Sequence, residues 1–306
     1  MRTVTFNDAA PLFGNGVNLQ PSYSSEGNAD LGWECLKKVL PAITTVRILV
    51  EPDKCNQAVR WVREAQDEGY DVIVCYNKSV VVGSSDPAEL LAAANWWVDH
   101  YAQLKGTTAI TVNLMNEWGG HDMQPDVYAD ACNQALAIVR QVYEDRVILD
   151  APGYGQGATA LLRALTGNKR IVDRNIMLSM HVYPSAYDAL TGKALQNKAL
   201  RKLAGTGLPC MVGEFGSKAT QSSGASWSGL VDFSKSLNWP VLAWCWAADN
   251  TGGPGDPNRI DMNMIESPTM IQQKESGQYV EIDPLVSGKA APYVTSSYFE
   301  EVAPRL

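Results

Sequence analysis

Eight short runs of apolar and β-branched residues recur along the chain: Gly16–Leu19, Thr44–Val50, Asp71–Tyr76, Thr108–Met115, Arg146–Asp150, Asn175–His181, Pro209–Gly213 and Pro240–Trp246. Several are apolar at successive positions, not alternate ones. That is the pattern of strands buried on both faces, as in a parallel sheet. Each of the first seven is followed by a stretch with helical spacing. Asp86-Pro87-Ala88-Glu89 reads as an N-cap, an N1 proline and a capping-box glutamate, opening a helix to about Leu104. Pro125 opens another through Tyr143, with Val127, Ala131, Ile138 and Val142 at helical spacing. A helix from Cys55 to Glu68 should stop at Gly69. Residues 267–288 are polar and irregular, and a last helix is expected over Tyr293–Val302.

Eight strand–helix units in one chain without a low-complexity linker predict an α/β protein: a single (β/α)8 barrel domain over residues 1–306. An open doubly wound sheet is the alternative, because a strand pattern does not reveal closure.

Composition narrows the partners. With a net charge of −8 at pH 7, the chain would repel nucleic acid. No stretch approaches the roughly 20 apolar residues of a membrane span. The first residues carry no apolar signal region, so a secreted protein with its leader removed is expected, with an intracellular one as the alternative. The six cysteines form no CxxC; Cys75, Cys210 and Cys245 fall in or beside strand runs, as buried thiols do, and a Cys35–Cys55 bridge is one option.

The chemistry of a barrel sits at the C-terminal ends of its strands. Those ends bring Arg47, Asn77, Asn116-Glu117-Trp118, His181 with Tyr183, Glu214, and Trp244 with Trp246. Two glutamates 97 positions apart would face one pocket. A pair of carboxylates beside flat indole faces suits cleavage of a glycosidic bond, one acting as acid and the other as nucleophile or base. Each feature has a blander reading alone. Glu117 could be an exposed loop residue, Arg47 a structural ion-pair partner, His181 a satisfied core histidine, and one of the two tryptophans core packing. Their convergence on the strand ends favours a site.

The segments GVN (16–18), VRI (46–48), NEW (116–118), LDAPGYGQ (149–156), SMHVY (179–183), VGEFG (212–216) and LAWCW (242–246) together resemble glycoside hydrolase family 5, and within it the bacterial endo-β-1,4-mannanases. The resemblance implies Glu117 as acid/base and Glu214 as nucleophile. It implies Asn116 on the 2-hydroxyl of the reacting sugar, and Arg47 and Tyr183 holding the nucleophile as its anion. It places His181 near the acid/base, Trp246 as the floor of the reacting subsite and Trp118 as a further wall. It also implies action on β-mannan or a related β-1,4-glycan such as cellulose. A monomer is expected, and with no metal-ligand spacing in the chain neither metal nor cofactor is expected. One departure stands out: the family usually has histidine at the end of strand 3, where this chain has Asn77.

Other classes are weaker. GYGQGA (153–158) matches a dinucleotide-binding GxGxxG/A, but such a motif normally follows the first strand, and here it follows the fifth. His100, His121 and His181 are scattered without HExxH, and there is no GxSxG. A non-catalytic carbohydrate-binding barrel would keep tryptophans but has no use for both glutamates with Arg47 and Tyr183.

Overall fold

The computed structural model describes residues 13–23, 31–106, 109–247, 261–266 and 293–306. Eight parallel strands close into a barrel: β1 (Gly16–Leu19), β2 (Thr45–Val50), β3 (Asp71–Tyr76), β4 (Thr111–Asn113), β5 (Val147–Asp150), β6 (Ile176–Val182), β7 (Cys210–Phe215) and β8 (Val241–Ala247). Pairing of Gly16 with Leu242 closes the ring and removes the open-sheet alternative. The helices are α1 (Trp33–Val39), α2 (Cys55–Asp67), α3 (Pro87–Leu104), α4 (Pro125–Val139), α5 (Ala158–Thr166), α6 (Asn197–Ala204), α7 (Trp227–Ser236) and α8 (Ser297–Val302). The expected (β/α)8 barrel is therefore the observed fold.

The period-2 geometry of a strand separates two cores. Phe13, Ile73, Ile148, Met177, Met211 and Leu242 form a small cluster of their own. The intervening Val72, Val74, Val147, Leu149, Leu178 and Val212 belong to the larger core beneath the helices. Burying each such aliphatic side chain contributes about 1.5–3 kcal/mol. Two residues beyond members of the small cluster, toward the strand C-termini, stand Cys75, Asp150 and Ser179, all buried. The barrel interior thus has an apolar floor with a polar layer above it. Register slips between Met180 and His181 on β6 and between Val241 and Ala243 on β8 fall beside that layer. Irregular pairing is common at barrel rims that carry a site.

Some local expectations shift. Asp86 caps α3 by accepting from Ala88 N, but Glu89 does not complete a capping box; its carboxylate pairs with Lys78 Nζ at 2.6 Å. The α4 helix stops at Val139, short of Tyr143. Arg140 there holds the carboxylate of Asp173 and the carbonyls of Tyr143, Asp145 and Asn175, which turns the chain toward β5. Val127, on the expected apolar stripe, is 42% exposed. Gly69 stops α2 as expected, at φ +86°. The last helix begins at Ser297, because Ser296 caps it through Phe299 N, and Val294–Thr295 instead pairs with Ile265–Glu266. The irregular segment 267–288 lies outside the described residues. All six cysteines are free thiols, so Cys35 and Cys55 are not bridged. No helix among the described residues is long and apolar enough to cross a membrane.

Candidate active site

Arg47, fully buried on β2, is the hub of the polar layer. Its Nε donates to Asn113 Oδ1 (2.8 Å). One terminal nitrogen donates to Asn18 Oδ1 (2.9 Å) and Glu214 Oε1 (2.7 Å). The other reaches Asn116 Oδ1 (2.8 Å), Asp150 Oδ2 (3.2 Å) and Cys75 Sγ (3.2 Å). A guanidinium suits this point because its planar fork offers five donors that cannot be titrated away.

Glu214 lies within β7 and is 4% exposed. Arg47 occupies one carboxylate oxygen, and the Tyr183 hydroxyl donates to the other at 2.8 Å. Burial, followed by the charge of Glu214, pushes the Tyr183 phenol well above its ordinary range, so it remains a donor.

Glu117 follows β4 in the left-handed backbone region, at φ +47°. A non-glycine residue held there is uncommon and needs support from its surroundings. Its N–H donates to Asp150 Oδ2 (3.1 Å), and its carbonyl accepts from Gly83 N (3.0 Å). Its side chain keeps 16% exposure, and His181 Nδ1 meets Oε1 at 2.7 Å. Burial raises the Glu117 carboxyl; the hydrogen bond to His181 opposes this, and the nearby Glu214 charge reinforces it.

His181, fully buried on β6, stands among three carboxylates. Nδ1 also lies 3.4 Å from Glu214, and Nε2 lies 3.4 Å from Asp150 Oδ2. Burial would lower its pKa, but Glu214 and Asp150 more than offset that, lifting the imidazole to about 10. The ring is therefore a cation at neutral pH. For Asp150, burial would raise the pKa, but His181 and Arg47 hold its carboxyl far below the ordinary range.

One oxygen each from Glu117 and Glu214 and a His181 ring nitrogen all lie within 4.8 Å of one another. That spacing is open to a metal ion, but an imidazolium has no lone pair for one.

Sequence reasoning placed Arg47, Asn116, Glu117, His181, Tyr183 and Glu214 at strand ends, and the fold brings them together. Three expected substrate-binding residues are corrected. Trp246 has no exposed surface, and its indole donates to Leu31 O (2.9 Å), so it offers no face to a sugar. Trp118 is 2% exposed, stacks on Tyr128 and donates to Asp86 O, tying the β4 loop to α3. Asn77 is 1% exposed and donates to Glu51 Oε1 (3.0 Å), which also accepts from Ser79 N, so it braces the β3 loop. Trp244 keeps 6% exposure. Asp150, Asn18, Asn113 and Cys75 were missed. Asp150 ends β5, and its place at a strand terminus within LDAPGYGQ carried the signal.

The glycine-rich GYGQGA loop follows β5, and its glycines serve the barrel rim. A Cβ on Gly155 would fall 2.4 Å from His181 Cγ, and Gly155 O accepts from His181 N (2.8 Å). Close backbone approach to an imidazole, not to a phosphate, explains that glycine. Tyr154 beside it is 37% exposed, and His121 packs against both Tyr154 and Tyr187.

Comparison with known proteins fits this geometry. The chain is 26% identical over 175 residues to a mannan endo-1,4-beta-mannosidase of Streptomyces lividans, covering 56% of this chain and 44% of that protein. It is 23% identical over 165 residues to a beta-mannanase/endoglucanase A of Caldicellulosiruptor saccharolyticus, covering 53% of this chain and 12% of that protein. The chain thus spans less than half the length of either relative. The fold matches the catalytic domain of a mannanase from Streptomyces sp. SirexAA-E with a TM-score of 0.62 at 19% identity, over 85% of this chain and 90% of that one. The description "Cellulase (glycosyl hydrolase family 5)" fits residues 36–250, about 70% of the chain, and with that match the chain belongs to glycosyl hydrolase family 5.

Proposed function

We propose that this chain is a single-domain, retaining endo-β-1,4-glycanase acting on mannan or glucomannan outside the cell, as a monomer. The observation that carries the mechanism is the approach of Glu117 and Glu214 oxygens to within 4.8 Å. Retaining glycosidases hold their carboxyl groups about 5–5.5 Å apart, whereas inverting ones leave room for a water at about 6.5–9.5 Å. In this reading Glu214, aimed by Arg47 and Tyr183, attacks the anomeric carbon. Glu117, whose carboxyl is raised, donates its proton to the departing oxygen. It then takes a proton from the water that releases the glycosyl-enzyme. The Asn116 amide, its oxygen fixed by Arg47, directs its NH2 edge to the 2-hydroxyl. Trp244 is the indole available to the reacting sugar.

The mannosidase relative supports mannan. A β-1,4-glucan is the second reading, favoured by the family description and by the endoglucanase activity in the other relative's name. A panel of β-mannan, glucomannan, galactomannan and cellulose, with products sized, separates the two and reveals endo action. A non-catalytic barrel would release no sugar from any of them.

The roles of the glutamates are tested with an activated aryl glycoside and azide. Glu117→Ala should still form the glycosyl-enzyme, which azide intercepts to give the β-azide after two inversions. Glu214→Ala should give the α-azide by one direct attack. The α product from both variants, or rescue of neither with the fold intact, would sink the assignment.

A further inference from the structure

The geometry points to Asp150 as the positioning residue of this site, an anion that holds the proposed acid/base Glu117 at both its backbone and its side-chain end. This rests on the reading of Glu117 given above. A single oxygen, Asp150 Oδ2, takes the Glu117 N–H at 3.1 Å, faces His181 Nε2 at 3.4 Å and accepts from Arg47 at 3.2 Å. The other oxygen accepts from Asn113 Nδ2 at 3.2 Å. Asp150 is itself fixed from behind, since Tyr128 OH on α4 donates to its carbonyl at 2.6 Å.

The two arms act differently. The backbone arm pins the N–H of a residue whose φ of +47° is otherwise unfavourable. The side-chain arm runs through the imidazole. Nδ1 meets Glu117 Oε1 at 2.7 Å, whereas Nε2 makes no hydrogen bond and faces Asp150 Oδ2 at 3.4 Å, a contact that acts through charge and favours the ring with a proton on each nitrogen. Asp150, together with Glu214, supplies the negative charge that makes this doubly protonated ring stable. The ring is further enclosed by the Gly155 backbone, and a Cβ added at Gly213 would fall 3.5 Å from Nε2. Its ionisable neighbours are Glu117 after β4, Asp150 on β5 and Glu214 on β7. Arg47 and Cys75 adjoin the same network through Asp150. With Nδ1–H committed to Oε1, Oε2 is left as the Glu117 oxygen that exchanges the proton during turnover.

The test needs no substrate. The chain has three histidines, His100, His121 and His181, so imidazole resonances can be assigned by single substitutions. In the unmodified protein, His181 should stay doubly protonated from pH 6 to 9. A His181 midpoint near the ordinary value of about 6.5 would overturn the proposal. In Asp150→Asn, with Glu214 still beside Nδ1, the His181 midpoint should fall clearly below its value in the unmodified protein. On an activated glycoside kcat should fall roughly 10²-fold, the low end of what general acid–base catalysis supplies, with KM changing less than about threefold. In a His181→Gln background, Asp150→Asn should cost markedly less in kcat, because one arm is already gone. An unchanged His181 midpoint in a folded Asp150→Asn protein also overturns the proposal. If Asp150→Asn does not fold, the titration of the unmodified protein decides. A charged His181 in a protein that cleaves no polysaccharide would refute the proposed substrate and leave the positioning role standing.

Discussion

Replacing Arg47 by lysine keeps the charge and removes the fork. Six acceptors converge on the guanidinium: Asn113, Asn18, Glu214, Asn116, Asp150 and the Cys75 sulfur. An ammonium has three donors radiating from one point on a shorter reach. At least three of the six acceptors therefore lose their partner. Setting aside the sulfur as a weak acceptor, and Asp150 Oδ2 because it keeps the Glu117 N–H, at least one amide or carboxylate oxygen is left buried and unpaired. Each such group costs about 1–3 kcal/mol, so Arg47→Lys should be destabilised by at least that much. Arg47→Met goes further, because it leaves Asp150 and Glu214 without their shared cation, and breaking a buried pair in this way costs about 3–5 kcal/mol before lost hydrogen bonds are added. Urea unfolding followed by circular dichroism, with slopes compared to confirm two-state behaviour, measures both values. If Arg47→Lys unfolds within about 1 kcal/mol of the unmodified protein, the acceptors have found other partners and the hub assignment fails.

Three further outcomes are expected. Gly155→Ala should lose most activity and at least ~2 kcal/mol of stability, because its Cβ would overlap the His181 ring and its φ of +74° disfavours a side chain; normal turnover would show that the loop can retreat. Trp246→Phe should lower the urea midpoint, by about 1–3 kcal/mol for the orphaned Leu31 carbonyl, while leaving KM for polysaccharide unchanged; a large rise in KM would restore it as a sugar platform. Stability should also follow the two shifted groups. The raised His181 stabilises fully below its unfolded value near 6.5, and that contribution is lost as pH rises toward about 10. The depressed Asp150 stabilises above about 3.9, and that contribution is lost as pH falls below it. Urea midpoints should therefore peak between about pH 4 and 6.5, and the alkaline decline should flatten in His181→Gln.

The barrel was legible because its signal is repetitive. Eight runs buried on two faces, the first seven each followed by a helical period, leave few other architectures, and an error of four residues at the end of α4 changes nothing. The site was legible for a related reason, since side chains such as Glu117 and Glu214 announce themselves where an apolar run stops. What failed was the tryptophans. Indoles near strand ends carry the same sequence signal whether they face a cleft or a helix, and Trp118 and Trp246 face packing. Asn77 likewise reads as a ligand donor until Glu51, 26 positions earlier, is found holding it. The partner that decides such a residue's role is distant in sequence, as Asp150 is from Glu117 and His181.

The depth of the charged hub has a consequence for the medium in which the chain can work. Arg47 and His181 have no exposed surface, and Asp150 and Glu214 have 4% each, so counterions have no access to the groups that attract and orient one another. Dissolved ions weaken interactions between exposed charges over about 10 Å at 0.1 M, but they screen buried pairs far less. A neutral glycan brings no charge whose approach salt could slow. Ionic strength should then act on the acidic exterior, through solubility and association, while the field at the reacting carbon stays constant. Tolerance of brine would be inherited from the barrel interior, before any adaptation of the surface.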